Sequence, residues 1–188
     1  MKFINKHTTQ TLEVKQSKFI AHLIPYTDYE NILKQLMLSN PKARHFVVAF
    51  RYFNKYNQIV EHSSDDGEPN GTSGKPSLMV LQGNMMINSA VIIVRYFGGT
   101  KLGTGGLVRA YSDAVNLVIS TSELLEYKEE VSKRISFKYS NVGRVEYECL
   151  TCGVEIVNKL FEIQVVYEIK ASTVNMECFL ERVERLLY

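Results

Sequence analysis

The sequence predicts a two-domain protein of the α+β class. Over the first 120 of its 188 residues, strand-like apolar runs alternate with amphipathic helical segments. The pattern restarts near residues 121–123, and the remainder follows the order strand, helix, strand, strand, helix. The composition, 45% hydrophobic and 22% charged, is typical of a globular protein and excludes a disordered one. We therefore expect domains at 1–122 and 123–188.

Each predicted element of the first domain has its own local signal. Runs of β-branched and aromatic residues predict strands at 12–15, 19–24, 45–53, 58–62 and 89–96. Apolar residues at helical spacing predict helices at 29–40, 76–82 and 107–119. Thr27 and Glu30 have the spacing of a capping box at the start of the first helix. Residues 63–74 contain no hydrophobic side chain, which predicts a long surface loop.

The second domain is predicted to be a small ferredoxin-like sandwich. Its strands are expected at 131–139, 154–158 and 161–170, and its helices at 142–149 and 174–187. The resulting β-α-β-β-α order is the basis of this prediction. The C-x-x-C pair Cys149 and Cys152 has no second ligand pair beside it, so core thiols are favoured over a zinc or redox site.

Charge and targeting signals narrow the classes of partner and compartment. No apolar run approaches the length of about 18 residues that a membrane helix needs, and the first residues lack the apolar core of a signal peptide. We therefore expect a cytoplasmic protein with no membrane partner. Residues 1–120 carry 13 Lys and Arg against 8 Asp and Glu, whereas residues 121–188 carry 9 against 12. The first domain is thus the more favourable surface for a polyanion.

The glycine-rich stretch after the strand at 89–96 is the leading candidate for a binding site. Glycines allow backbone amides to face a bound anion, and the start of the next helix adds a partial positive charge. The candidate anion-binding or nucleic-acid-binding residues are Lys75, Arg95, Gly98, Gly99, Lys101, Gly103, Gly105, Gly106 and Arg109. The alternative is that the glycines only form turns and that Arg109 pairs with Asp113 on the same helix.

An acidic loop offers a second, weaker candidate. Asp65, Asp66 and Glu68 could hold a hard cation such as Mg²⁺ through carboxylate oxygens. The competing interpretation is a solvated turn, because Asp and Gly are common turn residues. The four histidines have no metal-ligand spacing, and no nucleophile elbow is present. We therefore predict no catalytic residue, no obligate metal and no cofactor.

Several segments of the first domain together resemble the signature of the YigZ/IMPACT family. They are EPNGTSGKP at 68–76, VRYFGG at 94–99, LGTGGLVRAY at 102–111, KFI at 18–20 and ARH at 43–45. The resemblance implies an N-terminal ribosomal-protein-type (S-five domain-2-like) β-α-β fold. It also implies a C-terminal domain similar to the last domain of elongation factor G. Eukaryotic relatives are linked to the control of translation through an additional domain that is absent from this sequence.

Two functions from different classes follow from these observations. The first is a nucleic-acid-binding or ribosome-binding protein, with RNA or the ribosome as partner and a role in translation regulation. The second is a phosphate-handling enzyme that uses the glycine-rich loop together with the acidic loop. The first is favoured because the folds implied by the resemblance are those of ribosome-associated modules, although a fold does not fix a function.

Overall fold

The computed structural model describes all residues from Met1 to Tyr188, and the chain divides into two compact units. The first unit is Met1–Tyr127 and the second is Lys128–Tyr188. The boundary follows residue 127 rather than residue 122 because of a small two-stranded sheet. In that sheet β1 (Lys2–Phe3) pairs with β7 (Leu125–Glu126), which ties the end of the first unit to its start.

The first unit is built on a five-stranded antiparallel sheet. Its strands are β2 (Thr8–Val14), β3 (Ser17–Pro25), β4 (His45–Phe53), β5 (Ile59–Ser64) and β6 (Ser89–Tyr96). Their order across the sheet is β2-β3-β6-β4-β5. The central strand β6 is buried from Ser89 to Arg95, as its unbroken apolar run predicts.

Helices cover both faces of this sheet. They are α1 (Tyr29–Ser39), α2 (Gly74–Gly83) and α3 (Gly103–Ser120). Leu107, Tyr111 and Val118 of α3 join the main core with Phe19 and Ile93 of the sheet. The apolar side of α1 packs on the opposite face, where Ile24, Val48 and Ile92 are buried. Burial of each large side chain of this kind contributes about 1.5–3 kcal/mol.

Two helix starts differ from the prediction. The capping box is not formed, because Thr27 donates its hydroxyl hydrogen bond to Asp28 and the chain makes a 3₁₀ turn over Tyr26–Asp28 before α1. Helix α3 begins at Gly103 rather than at residue 107. Glycine has a low helix propensity, so the sequence pattern predicted a loop where the first turn of α3 lies.

The second unit has the predicted element order. It comprises β8 (Glu130–Phe137), α4 (Val142–Cys152), β9 (Glu155–Phe161), β10 (Val165–Ser172) and α5 (Thr173–Val183). The strands form an antiparallel sheet in the order β8-β10-β9, and both helices contribute to its core through residues such as Val145 and Phe179. The α+β class predicted for the whole chain is confirmed.

The cysteines lie in the second unit. Cys149 and Cys152 are buried in its core, and burial raises the pKa of the Cys149 thiol to about 11. The Sγ atoms of Cys152 and Cys178 lie 3.5 Å apart. No helix of the protein is both long enough and apolar enough to cross a membrane.

Candidate anion-binding site

The glycines between β6 and α3 have different roles. A side chain at Gly98 would overlap the backbone of Gln16 and Ser17, and the Gly98 amide donates to Ser17 Oγ at 3.1 Å. Gly98 therefore allows the end of β6 to pass close to the turn between β2 and β3. This role is structural, and it differs from the anion contact predicted for Gly98.

Gly99 and Gly103 have left-handed backbone conformations, with φ values of 87° and 73°. A Cβ atom at Gly99, Gly103 or Gly105 would meet no other atom within 4 Å, so the space beside this backbone is open. No side chain caps the N-terminus of α3, where Leu102 occupies the N-cap position. The first amides of an 18-residue helix are thus left for a partner outside the helix.

Arg95 is buried beneath α3 rather than displayed at the mouth of the loop. Only 5% of the residue is exposed, and its guanidinium forms an ion pair with Glu68. Strand alternation explains this position, because Arg95 points to the same face of β6 as the core residues Val91 and Ile93. Arg95 therefore does not supply the exposed cation that the sequence predicted.

Glu68 is the centre of a buried polar cluster. The Tyr111 hydroxyl donates to Glu68 Oε1 at 2.8 Å, and His45 Nε2 lies 3.7 Å from the same oxygen. Burial, followed by the nearby Glu68 carboxylate, raises the pKa of Tyr111 far above its usual value. Tyr111 therefore stays protonated and donates throughout the physiological pH range.

One donor of this cluster has no partner. Arg95 Nε is buried and makes no hydrogen bond, and it is the only buried side-chain nitrogen or oxygen atom in this state. A buried donor without a partner costs about 1–3 kcal/mol. Arg95 also lines a cavity of about 340 Å³ together with Phe97, Lys101, Gly103 and Thr104. The cavity therefore combines the N-terminus of a helix with an exposed lysine, and the buried Arg95 forms part of its wall, a set that suits an anion.

The other predicted cations are exposed. Lys75 lies in the first turn of α2 and Arg109 in the second turn of α3, and neither forms an ion pair. The alternative pair between Arg109 and Asp113 is not formed. Of the exposed cations predicted for the site, Lys101 is the one that lines the cavity.

The acidic loop is used internally. Asp65 accepts hydrogen bonds from the amides of Gly71, Ser73 and Gly74 and from the Ser73 hydroxyl, which places it at the start of α2. Burial opposes ionisation, but these hydrogen bonds prevail and lower the pKa of Asp65. Asp66 accepts from the Phe46 amide at 2.6 Å.

The three carboxylates of the loop therefore have separate partners, since Glu68 is paired with Arg95. No group of three or more His, Cys, Asp or Glu side chains in the protein is arranged to hold a metal ion. The cation-binding alternative for Asp65, Asp66 and Glu68 consequently has no geometric support.

Residues 15–119 match the family model described as Impact N-terminal domain. This chain belongs to the IMPACT family. An IMPACT family member of Haemophilus influenzae is 32% identical over 170 residues, which is 89% of this chain and 82% of that protein. The IMPACT family member YigZ of Escherichia coli is 32% identical over 161 residues, or 84% of this chain and 78% of that protein.

The similarity of IMPACT proteins to this chain extends beyond the matched domain. A solved structure described as the crystal structure of an hypothetical protein is 27% identical, with a TM-score of 0.67. It covers 98% of this chain, and 91% of that chain is covered in turn. The family predicted from the sequence motifs is thus confirmed, and the fold is shared over both units.

Sequence reasoning missed the cluster around Glu68. Neither His45 nor Tyr111 has a local sequence signal that predicts a contact with Glu68. The available signal was the alternation of side chains along β6. It places Arg95 on the face of the sheet that the apolar side of α3 covers. A buried arginine on that side requires a carboxylate partner.

A larger cavity of about 940 Å³ lies elsewhere in the first unit. It is bordered by Tyr26 and Tyr52, whose rings are stacked with centroids 3.9 Å apart. Its polar side chains include Asn54 and Asn88, which already bond neighbouring backbone amides. None of the residues that line this cavity has a buried donor without a partner, so the cavity gives no indication of a ligand.

Proposed function

We propose that this protein binds RNA through phosphate groups at the N-terminus of α3. The observation that carries the proposal is a cavity of about 340 Å³ at the uncapped N-terminus of α3, lined by Lys101 and by Gly103 and Thr104 of the helix. Backbone amides and cations at a helix N-terminus are a common arrangement for binding phosphate.

The charge distribution supports a polyanion rather than a small anion alone. Lys75, Lys101 and Arg109 are exposed and are not neutralised by acidic neighbours, and all three lie in the unit with excess positive charge. Cations of this kind bind the phosphate backbone without regard to sequence, and the resulting affinity depends strongly on salt.

We further propose that the RNA belongs to the translation apparatus and that the protein acts in translation regulation, in the cytoplasm. The ribosomal-protein-type fold implied by the family resemblance supports this context. The test of the context is co-sedimentation of the purified protein with ribosomes in low salt, and its release as the salt concentration rises.

The test of the site is a salt titration of RNA binding with three proteins. These are the wild type, Lys101→Ala, and the matched control Lys34→Ala, which removes one exposed charge from α1 on the opposite face of the sheet. We expect Lys101→Ala to reduce the slope of log K against log salt by about 0.7–0.9, and Lys34→Ala to leave it unchanged. Equal slopes for the wild type and Lys101→Ala would place the RNA elsewhere.

A further inference from the structure

We propose that the second unit contains a redox switch, in which the thiols of Cys152 and Cys178 are oxidised to a disulfide that joins α4 to α5. Their Sγ atoms lie 3.5 Å apart, although 26 positions separate the two residues in the sequence. The oxidant that the reaction requires is a small-molecule disulfide. The inference concerns the second unit and does not depend on the function proposed for the first.

The two thiols face each other because of the way α4 and α5 pack. Cys152 lies one helical turn after Glu148 on α4, and Cys178 lies one turn before Arg182 on α5. Arg182 Nη1 donates to Glu148 Oε2 at 3.2 Å. The ion pair and the thiol contact are therefore adjacent links between two antiparallel helices, and the ion pair keeps the sulfur atoms opposite each other.

A small movement separates this contact from a disulfide. The S–S bond is about 2.05 Å long, so the two sulfur atoms must approach by about 1.5 Å. Cys152 is the last residue of α4, and Gly153 follows it in a left-handed conformation with a φ of 65°. The end of a helix adjusts more readily than its interior, because its last carbonyl groups have no partner within the helix. We therefore expect the last turn of α4 to make the approach.

The two sulfur atoms differ in their access to solvent, and this difference sets the order of the reaction. Cys178 is partly exposed, whereas Cys152 is only 8% exposed. The Cys178 thiolate attacks one sulfur of the small-molecule disulfide, which forms a mixed disulfide and releases one thiolate. The Cys152 thiolate then attacks the Cys178 sulfur and releases the second thiolate. Cys152 therefore needs to reach only Cys178 and not the oxidant.

The reaction balances without a further reactant. Two protein thiols lose two protons and two electrons and become one disulfide. The small-molecule disulfide gains the two electrons, and its two halves leave as thiols after the protons reach them through water. An excess of a dithiol reverses the same steps, so the switch is reversible.

Arg182 provides a positive charge that favours the reactive thiolates. The hydrogen bond to Glu148, followed by the neighbouring Cys152 and Cys178, raises the pKa of Arg182, which shows that its guanidinium lies close to both sulfur atoms. Burial, followed by the contact with Cys178, raises the pKa of the Cys152 thiol, and Arg182 opposes this shift. Cys149 is 2% exposed, and burial raises its pKa to about 11. We therefore expect Cys149 to remain a thiol.

The test treats the full chain with glutathione disulfide at neutral pH without denaturant. Remaining thiols are alkylated, and the products are identified by mass spectrometry. We expect one disulfide between Cys152 and Cys178 and one alkylated thiol at Cys149, and dithiothreitol should reverse the reaction. Three free thiols, a disulfide between Cys149 and Cys152, or a lasting glutathione adduct on Cys178 of the wild type would overturn the proposal.

Cysteine substitutions separate the two steps. Cys152→Ser should trap glutathione on Cys178, because the second attack is lost. Cys178→Ser should leave Cys152 unmodified, because Cys152 is buried. Cys149→Ala is the matched control and should form the same disulfide as the wild type. A disulfide that is lost in Cys149→Ala would contradict the assigned pair.

Two arginine substitutions test the positive charge. Arg182→Gln should slow the formation of the disulfide several-fold. Arg144→Gln is the control, because Arg144 also contacts Glu148 but does so from the same helix. Equal rates of oxidation for the two variants would contradict the role of Arg182.

The expected consequence of oxidation is a more rigid second unit, because the disulfide closes a loop that spans 26 positions. Hydrogen exchange followed by mass spectrometry measures the two units separately. The amides of α4 and α5 should exchange about tenfold more slowly in the oxidised protein, whereas those of α1 in the first unit should exchange at the same rate. Equal exchange of α4 and α5 in both forms would show that the disulfide changes nothing in the fold and would overturn the switch.

Discussion

Each unit of the protein contains a buried glutamate paired with arginine, and the two arrangements differ in what they leave unsatisfied. Glu148 of the second unit is only 2% exposed, but its two oxygens bind Arg144 at 2.7 Å and Arg182 at 3.2 Å. Both of those arginines extend to the surface. In the first unit the arginine itself is buried with Glu68, and its Nε has no partner.

This difference separates a structural arrangement from one that can bind a ligand. Arg144 lies on α4 with Glu148, and Arg182 lies on α5, so Glu148 joins the two helices and every charge is either matched or hydrated. In the first unit the ion pair lies in the wall of a cavity, and one buried donor of its arginine has no partner. Buried polar groups without partners are uncommon in proteins, so this donor distinguishes Arg95 from the two arginines of the second unit.

The largest expected effect is the loss of stability on neutralising Glu68. Glu68→Gln leaves Arg95 as a buried charge without a counterion, which costs about 3–5 kcal/mol in the free energy of unfolding. Glu148→Gln should cost clearly less, because Arg144 and Arg182 can be hydrated at the surface. Urea denaturation of both variants measures the difference, and equal losses would contradict the distinction between the two pairs.

The sequence predicted the strand and helix that frame the Glu68 cluster but not the cluster itself. The periodicity of β6 and α3 is a local property, and it was sufficient to identify both elements. The pairing of Glu68 with Arg95 joins residues 27 positions apart and depends on how the long polar loop folds over the sheet. Composition predicts only a surface loop, whereas Glu68, Thr72 and Ser73 of this loop are buried.

The two carboxylates beside Glu68 illustrate the same limit. Asp65 and Asp66 have the residue type that a magnesium site requires, and their spacing did not distinguish that role from hydrogen bonding to backbone amides. Likewise, Lys101 and Arg95 are both cations near the glycines, and only the three-dimensional fold shows that one is exposed and the other buried.

A second prediction uses a pair of buried tyrosines that both donate to a glutamate at 2.8 Å. Tyr111 donates to Glu68 in the first unit, and Tyr167 donates to Glu146 in the second. Tyr111→Phe should cost about 1.5–3 kcal/mol, because it removes a hydrogen bond to a buried charge. Tyr167→Phe should cost about 1 kcal/mol or less, since Glu146 is partly exposed and also binds Lys159.

Thermal and urea unfolding of the two phenylalanine variants provide the measurement. Tyr111→Phe should also weaken RNA binding, because it loosens the carboxylate that holds Arg95 in the cavity wall. Tyr167→Phe serves as the control in the binding assay. A Tyr111→Phe protein of unchanged stability would show that the hydrogen bond from Tyr111 to Glu68 does not stabilise the first unit.

The smallest expected effect is the loss of stability on removing a helix cap. This loss should depend on pH for the cap of α2 in the first unit and not for the cap of α5 in the second. Asp65 caps α2 with an ionised carboxylate, whereas Ser172 caps α5 by accepting a hydrogen bond from the Asn175 amide at 3.3 Å. Ser172→Ala removes a cap and should cost about 1 kcal/mol, whereas Asp65→Asn removes the charge that strengthens four hydrogen bonds, so both variants should be destabilised at neutral pH. The two losses should diverge as the pH falls.

The direction follows from the pKa of Asp65, which is lower in the folded than in the unfolded chain. Its contribution is fully present above the unfolded value of about 3.9 and is lost as the pH falls through the lower, folded value. Asp65→Asn should therefore lose stability at neutral pH but approach the wild type in acid. Ser172→Ala should remain below the wild type by a constant amount. Urea denaturation from pH 7 to pH 3 measures both, and parallel curves for the two variants would mean that Asp65 contributes no charge-dependent stability to the first unit.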